Sequence, residues 1–194
     1  MTATPPTAAA CGRPYLDALE ALFADMDDAY RCAASHYGFH CEGCEDNCCR
    51  TRFHHHTCLE VLYLREGFSH LSSGDRSAVE RDAGVYSADA AQRPAKGRGR
   101  MCPLNRDQRC ILYNHRPMIC RLHGIPHELH RPGRPPARGP GCEAFDRHCG
   151  HLPYRSFDRT PFYTRMAELE RRMRQAIGFS DRVHLTVADI ILLP

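Results

Sequence analysis

Cys41-Glu42-Gly43-Cys44-Glu45-Asp46-Asn47-Cys48-Cys49 is the stretch around which the rest of the chain is organised. Four cysteines fall within nine residues, separated by small, acidic and amide side chains that favour turns over a helix. A second set follows in Cys102-Pro103-Leu104, Cys110-Ile111-Leu112-Tyr113 and Arg116-Pro117-Met118-Ile119-Cys120-Arg121, with Cys142 beyond it. Thiolate ligands must converge from turns, and Cys-x2-Cys does this by bringing two sulfurs to one side of a tight loop. Cys41 and Cys44 have that spacing. Cys48 and Cys49 are adjacent, so their side chains diverge and suit different metal atoms. Together Cys41, Cys44, Cys48, Cys49, Cys102, Cys110, Cys120 and Cys142 fit two four-coordinate sites or one multinuclear site.

The remainder of the composition is that of an ordinary globular protein. A chain of 194 residues with 42% hydrophobic and 25% charged residues makes one domain and can bury a core. The net charge of +3 is too small to argue for nucleic acid. Twelve cysteines are the outlier, and redox compartment decides between bridges and ligands. The first ten residues lack the basic start and apolar run of a secretory signal. No stretch reaches the apolar length of a membrane span. The expectation is therefore a reducing cytoplasm, where dense cysteines are metal ligands more often than disulfides.

Helices are expected to frame the cysteines. Residues 1–13 read as a leader, and 14–194 as a single domain with a motif core at 40–142 and C-terminal helices over 160–193. Leu16, Leu19, Leu22, Phe23, Met26, Tyr30 and Ala33 recur at helical steps after Pro14, with Gly38 as a stop. Thr57 and Glu60 form a capping box ahead of a second helix that is apolar on more than one face. Ser77 and Glu80 repeat that cap for a third helix running to about Gln92. Arg93–Arg100 reads as a basic loop, Ile111–Tyr113 as a short strand or buried turn, and Arg116-Pro117 as the opening of a short helix. Residues 131–141 are too rich in Gly and Pro for regular structure. Thr160-Pro161 starts a helix with Thr as cap, carrying Phe162, Met166, Leu169, Met173 and Ile177 and ending at Gly178. Thr186 begins a last short helix through Leu193. The fold class is mainly α, with helices packed around an irregular, cysteine-rich metal-binding core.

Two further groups of residues bear on the site. Cys11, Cys32, Cys58 and Cys149 lie outside the clusters and read as small buried hydrophobes, with Cys149 also placed to act as an alternate ligand. Among histidines, His54-His55-His56, His115 and His123 stand near the cysteines; solvent exposure or packing is the expected role for most of them, and His123 is the first to test as a ligand or a support for one. Eight thiolates carry a charge of about −8, which two Zn²⁺ or two cubane cores would reduce to roughly −4. Arg50, Arg52, Arg106, Arg109, Arg116 and Arg121 lie beside the candidate ligands in sequence and can offset the remainder. The arithmetic is the same for zinc and for iron–sulfur clusters.

The Cys-x2-Cys-x3-Cys-Cys run, Cys-Pro-Leu, Cys-Ile-Leu-Tyr and Arg-Pro-Met-Ile-Cys-Arg together resemble the bacterial zinc- or iron-chelating cysteine-cluster family (YkgJ-like). The resemblance covers about residues 40–142. That family's pattern has two residues, not three, before its adjacent cysteine pair. The resemblance implies a domain that holds iron, as an iron–sulfur cluster, or zinc through Cys41, Cys44, Cys48, Cys49, Cys102, Cys110 and Cys120, with Cys142 as the eighth. Flagellin lysine N-methylases share such a cluster, which makes a metal-cluster-dependent enzyme the alternative. No Gly-rich nucleotide loop, Ser-His-Asp arrangement or helical His-Glu-x-x-His accompanies it. A nucleic-acid or partner-binding role through the basic loops 93–100 and 131–138 ranks last, because no aromatic residues interleave with the charges. Metal ions are the expected partners.

Overall fold

The computed structural model describes residues 12–41, 48–92 and 99–194. It is mainly helical, with seven α-helices and two small hairpins among the described residues. The expected leader falls outside these residues except for Gly12 and Arg13, as do Cys11, Cys44 and most of the basic loop after Gln92.

Helix α1 spans Arg13–His36 and turns Leu16, Leu19, Leu22, Phe23, Met26, Ala33 and Ala34 inward. This is the stripe that three- and four-residue steps predict. Helix α2, Cys58–Ser69, is the centre of the core. Its buried residues include Leu59, Val61, Leu62 and Leu64 on successive faces, as a helix apolar all round requires. Thr57 caps it, accepting from the Glu60 amide at 3.2 Å, while the Thr57 hydroxyl donates to the Glu60 carboxylate at 2.7 Å. Helix α3, Ser73–Gln92, starts four residues before the Ser77 cap expected from sequence. Ser72 is the residue that caps it, accepting from Asp75 at 3.1 Å and donating to its carboxylate at 2.6 Å. A Ser three residues before an Asp does the same work as a Ser before a Glu, and here it wins.

Past the second cysteine set come α4 (Met118–Leu122), α5 (Glu143–Cys149), α6 (Thr160–Ile177) and α7 (Val187–Ile191). Helix α1 packs on α6, α4 and α2; α2 also meets α6 and α7; α3 lies against α7. Helix α6 buries Met166, Leu169 and Met173 and ends at Gly178, whose φ of 66° is the left-handed cap that Gly adopts without penalty. Thr160 does not cap it. The cap position falls to Arg159, and the Thr160 hydroxyl accepts the His130 amide at 2.7 Å instead. Thr186 does cap α7, in a reciprocal capping box with Asp189. That helix stops at Ile191, two residues short of expectation.

Two antiparallel hairpins complete the fold. In β1 (Asn105–Arg106) and β2 (Arg109–Cys110), Asn105 faces Cys110 across a two-residue turn. Asp107 and Gln108 form that turn with φ of 48° and 66°, the paired left-handed geometry that matches strand twist. In β3 (His127–Leu129) and β4 (Ala137–Gly139), His127 pairs with Gly139. Regular structure within 131–141 corrects the reading of that segment as wholly irregular. A Cβ at Gly139 would collide with the His127 ring, so Gly is what allows the strand to approach. No helix among the described residues is long and apolar enough to cross a membrane.

Candidate metal centre

Four of the eight candidate thiols, Cys49, Cys102, Cys110 and Cys120, lie near enough to influence one another's ionisation. Each arrives on a different local structure. Cys49 sits in the 3-10 turn Cys48–Arg50. Cys102 is tied to it directly, its amide donating to the Cys49 carbonyl at 2.8 Å. Cys110 ends β2. Cys120 lies within α4, which Pro117 opens with extended backbone at the cap. The Pro117 carbonyl accepts the Cys120 amide at 3.0 Å. Arg-Pro-x2-Cys thus positions a thiol one turn into a helix that the Pro itself starts.

The charges of these thiols are mutually coupled. Burial pushes the Cys110 thiol up to about 11, and the proximity of Cys49 adds to the shift. Burial pushes Cys120 up to about 12, with Cys110 and Cys49 the next contributors. Cys102 is also raised well above the ordinary thiol range, by burial first and then by Cys49, Cys120 and Cys110. As bare thiols, Cys102, Cys110 and Cys120 therefore resist ionisation.

The hydrogen bonds pull the other way. Cys102 accepts from the backbone of Leu104 and Cys110 from that of Leu112, each two residues on, and both bonds favour the thiolate. The Asn105 side-chain amide donates to the Cys49 sulfur at 3.4 Å. The guanidinium groups of Arg116 and Arg121 also favour the Cys110 thiolate, and Arg116 favours that of Cys120. Arg121 divides its charge, since it pairs with Asp27 at 2.5 Å from a side chain only 5% exposed. Arg106 pairs with Asp82 at 2.8 Å. N–H groups aimed at sulfurs that burial keeps neutral are what a soft cation would reconcile, because it deprotonates the thiols and supplies the missing positive charge. The donor set suits zinc or iron, both of which accept all-sulfur coordination.

The other candidates are placed as follows. Cys41 is exposed, just past α1. Cys44 lies outside the described residues, and of Cys48 only the backbone is described. Cys142 is the cap of α5; its sulfur accepts the Phe145 amide at 3.4 Å and its own amide donates to Gly124 at 2.9 Å. Among the described residues, no group of three or more His, Cys, Asp or Glu side chains is arranged to hold a metal ion. Cys58 and Cys149 are buried, as expected, and the Cys149 thiol donates to the Tyr37 carbonyl at 3.5 Å. Cys32 is exposed, not buried, because it lies off the inward face of α1. His123 packs edge-on against Phe53 at 5.6 Å.

The three consecutive histidines divide by strand alternation. His55 pairs in an antiparallel bridge with Leu185 and is 2% exposed. His54 and His56 turn toward His184, with His54 stacked on it at 4.0 Å and 8° between the ring planes, and His56 tilted at 5.1 Å. Burial and then the nearby His184 lower the His54 pKa, and Asp189 opposes this. His184 had no signal in the sequence, since its partners lie far away along the chain. Asn105 was missed for a similar reason: its role depends on hairpin register.

Comparison with protein families, with characterised proteins and with solved structures finds no match for this chain.

Proposed function

We propose that this chain is a metal-binding protein that holds iron, as an iron–sulfur cluster, or zinc through Cys41, Cys44, Cys48, Cys49, Cys102, Cys110, Cys120 and Cys142. On this reading the helices serve as a frame around a cysteine-rich core, in the manner of the YkgJ-like family that the motifs resemble. The metal is structural, redox-active or carried. One observation carries the reading: half-buried cysteines from separate segments lie near one another, and N–H donors and arginines face them although Cys102, Cys110 and Cys120 by themselves would stay neutral. Simple burial of cysteine as a hydrophobe needs no such donors. Residues 42–47 would complete the ligand set with Cys44.

The test is elemental analysis and an absorption spectrum of protein purified without oxygen. Iron with labile sulfide and a brown colour identifies a cluster; zinc without colour identifies a structural site. Cys120→Ser is expected to lower the metal content and the thermal midpoint together, and chelator is expected to destabilise the wild type. Folded protein that contains neither metal and is indifferent to chelator overturns the reading.

A further inference from the structure

Asn105 touches the cysteine group in three ways. Its amide donates to the Cys102 carbonyl at 2.9 Å. Its backbone stands opposite Cys110 across the β1–β2 hairpin. Its side-chain Nδ2–H donates to the Cys49 sulfur at 3.4 Å. Cys49 belongs to the first cysteine cluster and the other two to the second, so one residue links the halves of the site. The hairpin sets this geometry: the two-residue turn at Asp107 and Gln108 fixes the register that brings Asn105 opposite Cys110.

We infer that Asn105 is a positioning residue of the metal centre, holding the Cys49 thiolate in place and withdrawing charge from it through the N–H···S bond. This rests on the metal-binding reading above. An amide donor stabilises a sulfur anion, and groups that orient metal ligands in this way typically change metal affinity by about 10- to 100-fold when removed. An Asp at the same position keeps the size and the backbone bonds of Asn. It loses the N–H donor and sets a carboxylate against the sulfur, so it isolates the polar contact from the hairpin's structural role.

The experiment follows transfer of the metal the protein carries as isolated to excess chelator at neutral pH, in wild type, Asn105→Asp and Asn105→Ala. Release is expected to be about tenfold or more faster in Asn105→Asp, and intermediate in Asn105→Ala, with helical content unchanged. Equal release rates in folded Asn105→Asp and wild type overturn the inference while leaving the metal site intact. Wild-type protein without metal removes both together. A measurement without mutation covers the case of a variant that does not fold. In wild type loaded with ¹¹³Cd, the Asn105 Nδ2–H proton should show scalar coupling to the metal through the Cys49 sulfur, and its absence would refute the contact.

Discussion

Arg159 carries a positive charge into the interior with 2% of its surface exposed. One terminal nitrogen donates to the carbonyls of both Leu122 and Ile125, and burial lowers its pKa only to about 10, so it is charged at neutral pH. The carbonyls end the helix that bears Cys120 and begin the loop to β3. Arg159→Ala leaves them without a donor and is expected to cost about 2–4 kcal/mol in urea denaturation. Arg159→Lys should recover little of this, because an ammonium is more strongly hydrated than a guanidinium and costs more to bury. His55 makes a separate prediction about pH. Burial lowers its pKa to about 4, so folding favours the neutral ring. The stability it contributes is complete above its unfolded pKa of about 6.5 and is lost as pH falls toward 4. The loss amounts to about 3 kcal/mol. His55→Phe should match wild type above pH 7 and exceed it at pH 5, as read from denaturation midpoints at each pH. At this scale the sequence singled out eight thiols, with Cys49, Cys102, Cys110 and Cys120 among them, but not which of the eight lie near one another. It was silent about Asn105 and His184, whose contacts exist only after distant backbone segments pair.

The N-terminus of α2 is held by another helix. Glu170 of α6 accepts the amides of Cys58 and Leu59 at 2.7 and 3.0 Å, and Arg174 one turn on steadies the carboxylate at 2.5 Å. A carboxylate here satisfies two of the amides every helix start leaves open and meets the positive end of its dipole. Glu170→Ala is expected to destabilise by about 2–3 kcal/mol, and Glu170→Gln by roughly half as much, measured by thermal unfolding. Long helices were legible in the sequence wherever a single face was apolar: α1 and α6 declare themselves by periodicity, and Gly178 marks where α6 ends. Elements that depend on distant partners were not. Strand β4 sits in a run of Gly, Pro and Arg and forms because β3 offers it hydrogen bonds. Helix α5 is short and capped by a cysteine, and thiols are not a usual cap signal. Arg159, at the cap of α6, was overlooked because Thr160 offered the better local signature.

Across the whole molecule the late segments close over the early ones. Glu170 reaches back to Cys58, Leu185 bonds His55 through amides in both directions at 2.7 and 3.1 Å, and α7 lies against both α2 and α3 with Ala188 and Ile190 fully buried. Cys49, Cys102, Cys110 and Cys120 lie in sequence between α1 and α6, and all four are partly exposed. The bridge between His55 and Leu185 has a consequence for the timing of folding. It joins residues far apart along the chain, and contacts of that kind slow the search for the folded state. While the chain is being synthesised, the apolar faces of α2 and α3 must wait for residues 183–191 to emerge. Until then those faces stay open to solvent, which makes the half-made protein prone to aggregate.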